Sequence, residues 1–245
     1  MVLAAGKGTR LRPLTDNCPK CLMPLADRPL IDWTLTWLRG AGVEGCVINL
    51  HYLPDMVREY VGDGAQYGLR AEYSFEAELL GTAGAVRKVA DFFDEPFFVI
   101  YSDNFSWWDL RKLKTVHGEN GALATVAVHW REDVTQSGVV EMDRDGRIVG
   151  FVEKPSADVV TSHFVNAGFY YLEPGVLDYI PEGEFCDFAY DVFPAMLKAG
   201  EKLNAVKMDE PIIGIDTREA YEKAKEWAEN LKKQLQSTDY ADYTD

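Results

Sequence analysis

Residues 1–15, Met-Val-Leu-Ala-Ala-Gly-Lys-Gly-Thr-Arg-Leu-Arg-Pro-Leu-Thr, constrain the fold more than any other stretch. The apolar run Val2, Leu3, Ala4 reads as a buried strand that empties into a loop. Gly6 and Gly8 let the backbone fold back tightly there, and such a loop can aim several N–H groups at one anion. Lys7, Arg10, Arg12 and Lys20 add positive charge around it. Arginine offers a planar fork for phosphate oxygens and lysine a point charge. The outline is a phosphate cradle at the end of a strand. It is not a Walker loop, whose Gly-x-x-x-x-Gly-Lys-Ser/Thr is absent. Nor is it the dinucleotide fingerprint: Leu11 stands where the third glycine belongs, and Pro13 blocks immediate helix continuation.

The rest of the chain alternates strand and helix signals. Residues 32–38 carry apolar side chains at helical spacing, stopped by Gly40 and Gly42. Residues 46–50 read as a second strand, and Pro54 starts a short helix ending near Gly62. A third strand covers 70–75, a helix opens at Gly81 and runs to about Ala90, and 97–101 is a strongly apolar strand with Asp103 just past its end. This alternation implies βαβ units and a mainly parallel sheet, hence an α/β fold with ligands beyond the carboxyl ends of the strands. After the strand 123–128 the pattern changes. Residues 138–142 and 147–152 flank Asp143-Arg-Asp-Gly146, a hairpin signal. Residues 164–172 form another strand, 174 onward a short helix, and 187–199 a helix kinked at Pro194. A short strand at 212–215 precedes a long amphipathic helix, 217 to about 236, with Tyr221, Ala224, Trp227, Ala228 and Leu231 on its apolar stripe. The polar, acidic segment 237–245 reads as a disordered tail.

With 47% apolar residues the chain can bury a large core, and its net charge of −15 argues against a nucleic-acid surface. No apolar run approaches the roughly 20 residues of a membrane span, and no signal peptide is evident, so a cytoplasmic location is expected. Cys18-Pro-Lys-Cys21 has the spacing of a zinc or redox pair but lacks a second pair, so no such role is assigned. The four histidines form no cluster. Trp107 and Trp108 read as packing residues.

The whole opening run, with Pro19-Lys20 behind it, resembles the signature of the sugar-1-phosphate nucleotidyltransferases. So do four later segments in the same order: Leu80-Gly81-Thr82-Ala83-Gly84-Ala85, Ser102-Asp103-Asn104, Phe151-Val-Glu153-Lys154-Pro155 with Asn166-Ala167-Gly168, and Gly214-Ile215-Asp216-Thr217. The resemblance spans roughly residues 1–225. It implies a Rossmann-like α/β sheet with helices on both faces and a small β-rich sugar-binding subregion. It also implies one domain over 1–236, with 1–128 mainly nucleotide-binding and 129–236 mainly sugar-phosphate-binding.

In such a reaction the nucleophile is already an anion. Positioning and charge neutralisation therefore carry the catalysis. The resemblance puts Leu3, Ala4, Ala5, Gly6, Gly8, Thr9 and Arg10 around the triphosphate, and makes Arg10 and Lys20 the catalytic cations. It assigns Gly81, Thr82 and Ala83 to the base, where small residues let a flat ring lie close. Glu76, upstream of that turn, could accept from guanine and weakly favours a purine. Glu153, Lys154, Asn166, Gly168 and Asp187 would hold the sugar phosphate, with Asp187 reading equally as a helix cap. Mg²⁺ is the expected cofactor, held by Asp103 and Asp216. Asp103 also suits an N-cap. Asp216 stands two residues after the family's usual aspartate, which keeps it on the same strand face, and with Glu219 it also fits a capping pair. The expected partners are an NTP, GTP foremost, and a mannose- or heptose-type 1-phosphate, with self-association left open. The alternatives are a cytidylyltransferase acting on a phosphorylated sugar or small alcohol, a uridylyl- or thymidylyltransferase, and a non-catalytic nucleotide-sugar sensor.

Overall fold

The structure is a computed structural model that describes residues 1–156 and 160–237. Beyond Ser237, the expected tail lies outside the described residues. In chain order the first elements are β1 (Val2–Leu3), β2 (Pro24–Leu25), β3 (Arg28–Pro29), α1 (Leu30–Gly40), β4 (Gly45–Leu50), α2 (Pro54–Val61), β5 (Arg70–Phe75) and α3 (Gly81–Arg87). Then come β6 (Phe97–Tyr101), β7 (Asn104–Phe105), α4 (Arg111–Asn120), β8 (Ala124–Trp130), β9 (Gly138–Met142) and β10 (Ile148–Glu153). The last are β11 (Phe164–Leu172), α5 (Phe193–Lys198), β12 (Leu203–Lys207), β13 (Ile213–Gly214) and α6 (Arg218–Ser237). The α/β class expected from the alternating signals is the class found. Among the described residues no helix is long and apolar enough to cross a membrane.

Contacts group the chain into two compact units. One comprises Met1–Leu3, Glu76–Tyr101 and Trp108–Pro211; the other comprises Ala4–Phe75, Ser102–Trp107 and the segment from Ile212. In the first unit β1 runs parallel to β6, with Leu3 opposite Tyr101, so both strands end at the same edge. β11 lies antiparallel to β6 and to β8, and β12 runs parallel to β8. The β9–β10 hairpin forms as its turn signal predicts and joins β11 through Val139 and Val165. Val99, Val126, Phe169, Tyr170 and Leu172 are wholly buried, and the adjacent pair Phe169–Tyr170 shows that β11 is covered on both faces.

In the second unit β4 and β5 pair in parallel, from Gly45 opposite Arg70 to Leu50 opposite Phe75. A separate core gathers Leu25, Leu30, Trp33, Phe105 and Ile215 against Tyr221, Ala224, Ala228 and Leu231 of α6. The predicted stripe of α6 is thus its buried face; Trp227, half-buried, packs its ring 4.7 Å from Phe105. The tiny ladder of β7 with β13 sets Asn104 opposite Gly214 and Phe105 opposite Ile213.

Two local expectations are corrected and one is refined. The helix from Gly81 ends at Arg87 and a separate 3₁₀ turn follows at Ala90–Phe92. The helical stretch expected over 187–199 is present, and its irregular part lies just ahead of Pro194. Pro194 sits in the first turn of α5, where its missing N–H leaves no hydrogen bond unmade, behind a wide π-type turn over Phe188–Val192. And α4 and β12 have no counterpart in the sequence reading. In Arg-Lys-Leu-Lys-Thr-Val-His-Gly-Glu-Asn only Leu113 and Val116 are large and apolar, too few to mark a stripe.

Candidate functional site

In the second unit the glycine loop is built as a cradle. Gly8 takes a left-handed conformation at φ +60°, and a Cβ there would lie 2.9 Å from Thr15 Cγ2. Both facts require glycine. The Thr15 hydroxyl, buried, donates to the Gly8 carbonyl at 2.8 Å, and the Ala4 N–H donates to Asn49 Oδ1 at 2.6 Å. Thr9–Leu11 then form a 3₁₀ turn closed by Leu11 N–H to Gly8 C=O. Gly6 differs. It lies outside the left-handed region and nothing of the protein comes within 4 Å of a Cβ placed on it. Its missing side chain leaves open space, not a tight turn.

Lys20, deep in the same unit, is the electrostatic centre. Its side chain is 7% exposed, and Nζ donates to Asp103 Oδ2 at 2.7 Å and to Asp216 Oδ1 at 2.9 Å. Burial alone would lower the Lys20 pKa; the two carboxylates outweigh it and raise it. Arg10 Nη2 reaches Asp216 Oδ1 at 3.0 Å. Burial pushes the Asp216 pKa up, but Lys20 and Arg10 bring it below the ordinary carboxylate value. The β7–β13 ladder makes this meeting possible, since it carries Asp103 and Asp216 on its flanks, and Ile215 N–H donates to the Asp103 carbonyl at 2.8 Å. Thr217 Oγ1, not Asp216, caps α6 by accepting the Ala220 N–H at 3.2 Å. The capping alternative for Asp216 is therefore excluded.

Gly6, Gly8, Thr9, Arg10, Leu11, Lys20, Asp103 and Asp216 line one open pocket of about 190 Å³. That is below the size of sites that enclose a whole drug-sized ligand, and it suits phosphate groups better than a nucleoside. Arg12, expected near the phosphates, pairs instead with Asp16 at 3.3 Å. Lys7 is exposed and does not line the pocket. Ala5 is buried and Leu3 is the half-buried end of β1.

The first unit holds the other candidates. Gly81, at φ +75°, and Gly84 are glycines because the protein's own backbone crosses them. A Cβ would sit 2.5 Å from the Cys186 carbonyl oxygen at Gly81 and 2.7 Å from that of Glu184 at Gly84. The Ala83 and Gly84 N–H groups both donate to the Cys186 carbonyl, and Cys186 N–H donates back to Leu80. The smallness attributed to a stacked base thus serves a loop of the protein at these two positions. Glu76 is corrected too: it is 1% exposed and Oε2 accepts the Leu80 N–H at 2.9 Å, so it anchors this turn from within.

Thr82 joins the turn to the 187–188 segment. Its hydroxyl donates to Asp187 Oδ1 at 2.6 Å and accepts the Phe188 N–H at 3.0 Å. Lys154 has the strained φ of +47°, rare for a residue with a side chain, and extends Nζ over the Tyr190 ring at 5.9 Å. Glu153, beside it, is half-buried. Burial raises its pKa first; Lys154 opposes that and Asp187 reinforces it. Asn166 Oδ1 accepts the Gly168 N–H at 2.9 Å, and Gly168 itself, at φ +74°, sits where the β11–β8 register shifts. Tyr101, Tyr170 and Tyr190 escaped the sequence reading. The one available signal was Tyr101 as the polar end of an apolar strand.

A family model for nucleotidyl transferases matches residues 1–228. The chain belongs to this family. A UTP–glucose-1-phosphate uridylyltransferase of Synechocystis is 37% identical over 223 residues, covering 85% of this chain and 58% of that protein. A mannose-1-phosphate guanylyltransferase of Mycobacterium tuberculosis is 37% identical over 202 residues, covering 82% and 56%. The chain thus spans a little over half the length of these curated relatives. In fold it matches a protein of Bacillus anthracis provisionally named a glucose-1-phosphate thymidylyltransferase, with a TM-score of 0.84 at 24% identity over 93% of each chain.

Proposed function

We propose that this chain transfers a nucleotidyl group from an NTP to a sugar 1-phosphate. An oxygen of the sugar phosphate bonds to the α-phosphorus, the bond from that phosphorus to the β-phosphate bridge breaks, and pyrophosphate leaves with the electron pair. The observation that carries this reading is Lys20, buried beside the glycine loop and held by two carboxylates. Family members at 37% identity carry such names.

Gly6, Gly8, Thr9 and Arg10 receive the triphosphate. Arg10 and Lys20 offset charge where it builds up at the reacting phosphates. Lys154, with Glu153, Asn166 and Asp187, takes the sugar phosphate; the half-exposed Gly81 and Thr82 meet the base, whereas Ala83, expected beside them, is wholly buried. The donor set at Asp103 and Asp216 fits Mg²⁺, which takes one or two carboxylates and completes its shell with phosphate oxygens and water. Among the described residues no group of three or more His, Cys, Asp or Glu side chains could hold a metal, so phosphate oxygens and water would have to complete the shell. Bound there, the ion would supply positive charge to the phosphate oxygens. We place this chemistry in the cytoplasm.

For the substrates we favour GTP with a mannose-type 1-phosphate, the pair named in the guanylyltransferase relatives. UTP with glucose 1-phosphate is the second reading, favoured by the Synechocystis relative. Glu76 no longer speaks for a purine, because its carboxylate is turned inward. The test is pyrophosphate release across GTP, UTP, CTP and dTTP with a panel of sugar 1-phosphates and Mg²⁺. Turnover with one pair supports the proposal. Tight NDP-sugar binding without turnover by any pair would replace it with the sensor reading.

A further inference from the structure

Five polar side chains of the first unit interact in sequence: Asn166, Tyr170, Tyr101, Thr82 and Asp187. Asn166 Nδ2 donates to Tyr170 Oη at 2.7 Å, and Tyr170 O–H donates to Tyr101 Oη at 3.2 Å. The Thr82 hydroxyl is the next polar neighbour of Tyr101. Thr82 donates to Asp187 Oδ1 at 2.6 Å.

The direction of every link follows from donor inventory. Thr82 has one proton, and the carboxylate takes it. Its oxygen also accepts the Phe188 N–H, so toward Tyr101 it can only accept. Tyr101 therefore orients its proton toward Thr82 and accepts from Tyr170, which in turn accepts from the Asn166 amide. All protons point toward Asp187. At the far end the Gly168 N–H donates to Asn166 Oδ1, so nitrogen and oxygen of that amide cannot exchange places without breaking a bond at each. Tyr170 is wholly buried, and its ring packs against Phe188, Phe193 and Tyr101. Buried phenols left without partners would be costly. Burial keeps both neutral, with pKa values well above the ordinary phenol value.

We propose that Tyr170 and Tyr101 are positioning residues, which transmit the polarity of the Asp187 carboxylate to Asn166 and fix which face of its amide donates and which accepts. One N–H and one lone pair of Asn166 remain for a ligand. Their placement matches a sugar hydroxyl that accepts from the amide nitrogen and donates to the amide oxygen. The inference rests on the reading of Asn166 as a sugar contact. It adds that the site rejects a sugar lacking that hydroxyl, because the aligned amide cannot turn to compensate.

The test uses Tyr170→Phe, Thr82→Val and Thr82→Ser in the full chain. Tyr170→Phe keeps the ring and removes one oxygen. KM for the sugar 1-phosphate is expected to rise about ten-fold, the effect of removing one partner from a half-buried amide that must stay aligned. The kcat and the KM for the NTP should stay near wild type. Thr82→Val, far along the chain from Asn166, should raise the same KM, Thr82→Ser should restore it, and the Phe/Val double variant should be no worse than the poorer single one. An unchanged sugar KM in Tyr170→Phe, or strictly additive effects, overturns the relay. Amide-resolved hydrogen exchange at Gly168 separates this from failure of the functional reading. Tyr170→Phe and Thr82→Val should both speed that exchange whether or not wild type turns over any pair, and unaltered exchange in both would again overturn it.

Discussion

Lys20→Met removes the ammonium and keeps most of the buried stem. The structure bounds both consequences. Breaking a wholly buried ion pair costs about 3–5 kcal/mol and losing an exposed one about 0.2–1 kcal/mol. Lys20 is 7% exposed, but Asp103 and Asp216 are 38% and 42% exposed, so water can take over much of what Lys20 supplied. Asp216 also keeps Arg10. A loss of about 1–2 kcal/mol in stability is expected, or a Tm lower by about 2–8 °C. Turnover should fall further, about 10²–10³-fold in kcat, the usual effect of deleting one electrostatic stabiliser of a transition state. The pH dependence has a definite sign. The lowered pKa of Asp216 contributes stability above about pH 4 that is lost as pH falls through its folded value. The raised pKa of Lys20 contributes below about pH 10 and is lost as pH rises through its own folded value. The stability gap between wild type and Lys20→Met should therefore be flat between those limits and close outside them. Urea unfolding across pH and pyrophosphate release at saturating substrates measure the two effects. Turnover within about three-fold of wild type would refute the assigned role, and a gap that widens on acidification would refute the electrostatics.

Two further tests concern the glycines and the thiols. Gly81→Ala meets both the left-handed φ and the Cys186 carbonyl at 2.5 Å, so a loss of about 2–5 kcal/mol is expected by thermal or urea unfolding. Gly6→Ala, with open space around it, should leave Tm unchanged while raising the KM for the NTP, and an equal drop in Tm for both variants would contradict the distinction. Burial pushes the Cys21 thiol up to about 12 and those of Cys46 and Cys186 up to about 11, whereas Cys18 is only half-buried and its thiol is raised less. At pH 8 a thiol reagent should modify at most Cys18 in the native protein and all four cysteines after denaturation; rapid native modification of more than one would overturn these assignments.

Which parts of the site the sequence could disclose depends on the range of the physics involved. The cradle was legible because everything it needs is local: Gly8 must be glycine for its own φ and for Thr15, a near neighbour in the chain. Asp103 was legible because a strand's period and end are local too. Asp216 was legible only in part. Strand parity kept it on the correct face, but its meeting with Lys20 depends on a two-residue ladder between Asn104 and Gly214, and so short a pairing leaves no periodic trace in the sequence. Gly81 and Gly84 show the opposite failure. Their smallness was plain, yet a small residue records only that something comes close. The chain 184–186 fills that space, and no pattern around residue 81 could have announced it. The tyrosine relay lay beyond reach for a further reason. The near-continuous apolar run of β11 marks Tyr170 as core by the same signal that marks Phe169 and Leu172. A hydroxyl adds nothing to hydrophobic periodicity, although it decides which partners the buried end must find. Polar networks that cross several elements are therefore the features most underestimated by motif reading. Here the network connects Thr82 and Asn166, from two motifs that the sequence presents as separate, with Asp187.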